Sequence, residues 1–179
     1  MKKILIWLLA LPLVAGFTAC DDDDNSDTYA EWSQTNIDYI NQQAALEENG
    51  RAYYERISPA WNPSLYVLIH YFNDRGLTAG NLQPLETSTV AVKYKGMFYE
   101  GTGFDSSYVN TDSLFTTKLT GVISGWQIAL EKMHVGDSVE VIIPYQAGYG
   151  ASGSGSILPY STLRFGIKLV DIPYYEVRP

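Results

Sequence analysis

The sequence predicts a small α+β fold: a curved antiparallel β-sheet wrapped around one short helix, with an N-terminal helical extension. Three observations carry this. Several segments between residues 65 and 170 alternate apolar and polar residues with period two, the mark of strands with one buried and one wet face. A single stretch among them, residues 125–133, reads as a helix. Before them, residues 31–58 follow a helix-like apolar spacing that stops at Pro59 and Pro63, where proline's fixed φ and missing N–H break the pattern. Many strands and one helix fit an antiparallel sheet curled over that helix.

Taken in order, residues 1–19 read as a signal peptide. Lys2 and Lys3 form a positive start, and residues 4–17 form an apolar stretch too short for a comfortable bilayer span. The stretch ends in Phe17-Thr18-Ala19-Cys20, which resembles a bacterial lipobox, although Phe17 stands where leucine is usual. Cys20 is the one cysteine of the chain and is expected to carry lipid. Residues 20–30 then form an acidic tether, because the run Asp21-Asp22-Asp23-Asp24 repels itself and stays extended. The expected location is the envelope of a Gram-negative bacterium, the outer membrane favoured, with the membrane touched only through the anchor.

Residues 31–63 are expected to be a helical extension. Ile37, Ile40, Ala44 and Leu46 give a helical apolar spacing, Gly50 is placed to end a first helix, and residues 52–57 suit a short second one. Residues 64–179 form the main domain. Tyr66-Val67-Leu68-Ile69-His70-Tyr71-Phe72 reads as a strand and Asn73-Asp74-Arg75-Gly76 as a turn. Residues 89–94, 138–143 and 162–170 supply further strands, and Pro144 ends the second of these. Gly101 and Gly103 mark a hairpin turn, since no phosphate-loop pattern follows them. Residues 153–156, Gly-Ser-Gly-Ser, are a flexible loop by composition.

Composition narrows the function. The formal net charge is −8, and loss of Lys2 and Lys3 with the leader leaves 10 Lys and Arg against 20 Asp and Glu. Nucleic-acid binding is excluded as an expectation, because it needs clustered cations to displace phosphate counterions. One cysteine cannot form an intrachain disulfide or a multi-cysteine metal site, and His70 and His134 stand in no metal-ligand spacing. The 14 tyrosines suit strand positions and contact surfaces alike.

Six motifs then fall in one order. They are Val92-Lys93-Tyr94-Lys95-Gly96, Gly103-Phe104-Asp105-Ser106-Ser107, Gly121-Val122-Ile123-Ser124-Gly125-Trp126, Met133-His134-Val135-Gly136, Ile143-Pro144 with Gly148-Tyr149-Gly150, and Ile157-Leu158-Pro159-Tyr160-Ser161-Thr162-Leu163-Arg164-Phe165. Together they resemble the FKBP-type peptidyl-prolyl cis-trans isomerases over about half the chain. Each motif alone is weak. From pattern alone Trp126 and Phe165 are plain core, and Asp105 is a turn residue.

The resemblance implies a proline pocket between sheet and helix. Tyr94, Phe104, Asp105, Ile123, Trp126 and Tyr149 would be its catalytic set, and Phe115, Val122, Ile157 and Phe165 would bind substrate. Trp126 would be the floor, and Tyr94, Phe104, Phe115 and Phe165 the walls. The Ile123 amide and the Tyr149 hydroxyl would hold substrate carbonyls. Asp105 would be a buried carboxylate, bonded to Tyr94 or facing the twisting carbonyl. No cofactor or metal is implied. The partners would be proline-containing polypeptides of exported proteins and macrolide-type inhibitors. Three features depart from the family pattern: Leu158 replaces a proline, Asn110 stands about where many members carry an arginine, and residues 151–156 are small. They leave a second reading open, a proline-peptide binding or chaperone module with little turnover. A third reading, a structural lipoprotein working through its extension, leaves the pocket motifs unused.

Overall fold

The computed structural model describes residues 29–175. The leader, Cys20 and the acidic run lie outside them. Helix α1 spans Ala30–Ala44. Strands β1 (Glu47–Glu48) and β2 (Arg51–Ala52) form a hairpin. Then follow β3 (Glu55–Ile57), β4 (Val67–Tyr71), β5 (Thr89–Phe98), β6 (Gly103–Ser106), β7 (Phe115–Lys118), helix α2 (Ser124–Leu130), β8 (Ser138–Ile143) and β9 (Leu163–Tyr174). The main sheet is antiparallel, in the order β3-β4-β8-β9-β5-β6, with β7 also paired to β5. No helix among the described residues is long and apolar enough to cross a membrane.

The expected main strands and the single inner helix are all present, as an α+β fold with an antiparallel sheet over a short helix. Alternation explains why. Val90, Val92 and Tyr94 of β5, Val139, Val141 and Ile143 of β8, and Leu163, Phe165, Ile167 and Leu169 of β9 point inward. They pack against Trp126, Ile128, Ala129 and Leu130 of α2 in one core. β4 is different: Val67, Leu68 and Ile69 are all buried, because both of its faces are covered.

The second face accounts for the main correction. Residues 52–57 are not a helix. Asn49 and Gly50 have φ of 52° and 73°, and a two-residue Asn-Gly loop with positive φ at both positions selects a hairpin. The chain then runs on as β3, which pairs Glu55, Arg56 and Ile57 with Ile69, Leu68 and Val67. The division expected at residues 63/64 thus falls between two neighbours of one sheet. The helical half of the extension, α1, packs on the outer face, where Ile40 and Tyr54 cover Leu68 and Ile142. Its buried residues are Asn36 and Ile40, whereas Ala44 and Leu46 are exposed. A polar side chain, Asn36, therefore lies at the centre of the packed face, for a reason local periodicity does not carry.

Candidate active site

The site forms where β5, β9 and the start of α2 meet. Alternation on β5 sends Tyr94 inward, and its partner across the ladder is Ile167. Gly96, two residues on, pairs with Phe165. A Cβ at Gly96 would come within 2.8 Å of Phe104 and 2.9 Å of Phe165, so only glycine lets both rings close over the strand. α2 begins where the Ile123 carbonyl accepts from the Trp126 amide at 3.0 Å, which drives the Trp126 ring into the core. Gln127 Nε2 donates to the Val122 carbonyl at 2.8 Å and steadies the segment before the helix.

These elements enclose an open cavity of about 260 Å³. Trp126 lies at its base, 4% exposed, with the Tyr94 ring edge-on at 5.0 Å, Phe165 at 5.4 Å and Phe115 at 6.2 Å between centroids. Phe104 meets Phe165 edge-on at 5.6 Å. Edge-to-face contacts of this kind each contribute about 0.5–1.5 kcal/mol beyond burial, so the rings brace one another. The Trp126 indole N–H is buried without a hydrogen-bond partner among the described residues.

Polar groups are few. The Tyr94 hydroxyl donates to Asp105 Oδ2 at 2.6 Å, and the Ser106 amide donates to Asp105 Oδ1 at 2.7 Å. Burial first, and then the bond to the Asp105 carboxylate, push the Tyr94 phenol well above its ordinary value. Tyr149 stands at the rim, 37% exposed, and its phenol is also pushed up, by burial and then by the Asp105 charge. Both hydroxyls are therefore neutral donors at physiological pH. The Ile123 amide makes no hydrogen bond among the described residues and is free to donate.

Nine of the ten pocket residues expected from sequence line this one cavity: Tyr94, Phe104, Asp105, Phe115, Val122, Ile123, Trp126, Tyr149 and Phe165. Ile157 does not. It is buried in the core, and its backbone exchanges two 2.9 Å hydrogen bonds with Ser154 to close the 151–157 loop. Asp105 is exposed rather than buried, because β6 is an edge strand there and turns the carboxylate to the rim. Asn110 donates from Nδ2 to the Leu114 carbonyl at 2.7 Å and braces its own loop; it is neutral, and among the described residues Asp105 has no cationic partner. Sequence reasoning missed Gly121 as a lining residue and Gly96 as the spacer. Both glycines stand inside the recognised motifs, which was the available signal.

Comparison with known proteins identifies the family. The family model described as FKBP-type peptidyl-prolyl cis-trans isomerase matches residues 80–170. The chain is 38% identical over 99 residues to the FKBP-type peptidyl-prolyl cis-trans isomerase FkpA of Escherichia coli (strain K12), covering 54% of this chain and 36% of that protein. It is 42% identical over 90 residues to the FKBP-type 22 kDa peptidyl-prolyl cis-trans isomerase of the same strain, covering 50% of this chain and 43% of that protein. The match thus spans less than half the length of these relatives. The crystal structure of FkpA from Escherichia coli superposes with a TM-score of 0.69 at 26% identity, over 83% of this chain and 62% of that one. With the motifs in order, the aromatic box assembled and the family match running from residue 80 to residue 170, the chain belongs to the FKBP-type peptidyl-prolyl cis-trans isomerases.

Proposed function

We propose that the protein catalyses cis-trans isomerisation of Xaa-Pro bonds in exported polypeptides. The observation that carries this is the box of five aromatic rings, Tyr94, Phe104, Phe115, Trp126 and Phe165, around a cavity whose one charged lining group is Asp105. The barrier to rotation is amide resonance, about 18–20 kcal/mol for a peptide bond. The twisted transition state has lost conjugation and is less polar at its carbonyl than the planar, hydrated ground state. A dry apolar slot therefore favours it over the ground state.

In this reading the pyrrolidine ring lies on Trp126 between Tyr94, Phe104 and Phe165. The free Ile123 N–H and the neutral Tyr149 hydroxyl donate to carbonyls beside the proline and hold the chain while the bond turns. Asp105 fixes the Tyr94 ring through its 2.6 Å bond and presents negative charge at the rim. No proton transfer is needed. The same slot suits the macrolide-type inhibitors that FKBP-type domains bind in general. A protease-coupled assay on Xaa-Pro peptides tests the proposal: acceleration that saturates with protein is expected.

A second reading, a proline-peptide binding or chaperone module, is favoured by one observation. Among the described residues Asp105 has no cation partner, and Asn110, about where many family members carry an arginine, is a neutral amide that bonds to Leu114. Saturable peptide binding without acceleration would select it. For location, we propose a lipid-anchored protein of a Gram-negative envelope, the outer membrane favoured, carried by Cys20 and tethered by residues 21–27. Its support is the short apolar leader ending in Thr18-Ala19-Cys20. Intact-mass spectrometry of envelope material tests it, and an unmodified Cys20 or a different mature terminus would overturn it.

A further inference from the structure

Helix α1 reaches the rim of the pocket through the loop that carries Tyr149. This loop, residues 144–162, joins β8 to β9 and is braced within itself. The Gly150 amide donates to the Tyr145 carbonyl at 2.8 Å, and the Tyr160 amide donates to the Gly150 carbonyl at 3.0 Å. The Tyr145 and Tyr160 rings meet edge-on at 5.2 Å. Tyr149 thus sits on one arm of a cross-linked loop whose other arm is residues 158–162.

α1 grips that second arm. Trp32 Nε1 donates to the Pro159 carbonyl at 3.0 Å, while its ring packs on Tyr99 at 5.5 Å. Asn36 is completely buried. Its Oδ1 accepts from the Thr162 amide at 2.7 Å, its Nδ2 donates to the Trp32 carbonyl at 2.9 Å, and its own carbonyl accepts from the Thr162 hydroxyl at 3.1 Å. Asparagine is a poor residue for a helix interior, and an unpaired buried amide is costly, so local helix preference does not explain it. The bonds to Thr162 do.

We propose that Trp32 and Asn36 are positioning residues of the pocket: α1 pins residues 159–162 and, through the Tyr160 to Gly150 bond, holds the Tyr149 hydroxyl over the cavity. This rests on the reading that Tyr149 binds substrate. The helix that follows the acidic tether is then a working part of the site as well as a cover for the outer face. Loosening the arm lets Tyr149 sample positions away from the substrate carbonyl, and a displaced donor loses its contribution.

The experiment is a double-mutant cycle on the whole mature chain, read by kcat/KM on an Xaa-Pro peptide well below the unfolding transition. Asn36→Ala is expected to lower kcat/KM about as far as Tyr149→Phe does, and the double variant is expected to fall little further, since both act through one hydroxyl. Trp32→Phe keeps the ring on Tyr99 but removes the donor to Pro159; it is expected to give a smaller loss in the same direction, and it carries the test if Asn36→Ala does not fold. Amide hydrogen exchange gives a readout independent of activity. The Tyr160 and Gly150 amides are expected to exchange at least tenfold faster in either variant, with the β5–β9 ladder unchanged. Unchanged kcat/KM in a folded variant, additive losses in the cycle, or unchanged loop exchange would overturn the proposal. An inactive wild type with accelerated loop exchange would remove the isomerase reading and leave the clamp standing.

Discussion

Replacing Trp126 by alanine tests the core and the pocket at once. The side chain is 4% exposed, so nearly all of its surface is removed from water. An aromatic of this size buries about 150–250 Å², which at about 25 cal/mol per Å² corresponds to about 4–6 kcal/mol for the whole side chain. The alanine retains Cβ, and one side of the ring lines the pocket rather than packing against core side chains. The expected loss is therefore at the usual level for a buried tryptophan, about 3–5 kcal/mol. The indole N–H has no partner among the described residues, so no hydrogen bond to them is forfeited. With a urea slope of about 2 kcal/mol per M, the midpoint falls by about 2 M. Activity falls too, since a proline ring deprived of its floor loses about 2 kcal/mol of apolar contact, about 30-fold in kcat/KM. Urea melts and the protease-coupled assay read the two effects separately. Trp126→Phe, which keeps a ring, is expected to recover most of the stability. An alanine variant within 1 kcal/mol of wild type, with full kcat/KM, would refute the assignment of Trp126 as the floor of a functioning pocket.

Other outcomes follow from the same geometry. Tyr149→Phe removes one rim hydroxyl and is expected to lower kcat/KM about fivefold, the worth of a hydrogen bond of about 1 kcal/mol, with an unchanged urea midpoint. The rate is expected to stay flat between about pH 6 and 8, because the Tyr94 and Tyr149 phenols are both raised and remain protonated; a bell-shaped profile would point to acid–base chemistry instead. Asp137 is buried; burial pushes its carboxyl up, but the His134 amide and the Thr78 and Asn73 side chains outweigh this and hold it below the ordinary carboxylate value. Its contribution to stability is therefore present above about pH 4 and is lost as pH falls through the lowered folded value, so urea melts should weaken more steeply on acidification in wild type than in Asp137→Asn. Deleting residues 20–60 removes α1 and β3 and uncovers Leu68 and Ile142; the truncated chain is expected to be less stable and prone to associate, and a soluble two-state domain of undiminished stability would show residues 31–63 to be an appendage.

The chain's own periodicity was enough for the α+β class and the main strands, and the resemblance carried by its ordered motifs implied nine of the residues that line the cavity. Those features are written locally: period-two alternation in β5, β8 and β9 decides which side chains turn inward, and ordered motifs such as Gly121-Val122-Ile123 mark the approach to α2. Tertiary structure decided the rest. Residues 52–57 are helix-compatible over a few residues, but pairing β3 with β4 satisfies their backbone and buries Ile57, and that partner lies across an intervening loop. Asn36 reads as an exposed helix residue until Thr162, 126 positions away, supplies the bonds that make its burial favourable. Ile157 sits within a recognised motif, yet its place in the core depends on how the 151–157 loop closes on Ser154. Asp105 lies at the rim because β6 falls at the sheet's edge, a matter of strand order. A single chain records its local periods and motifs, whereas burial and hydrogen-bond partners at long separation exist only once the sheet has brought them together.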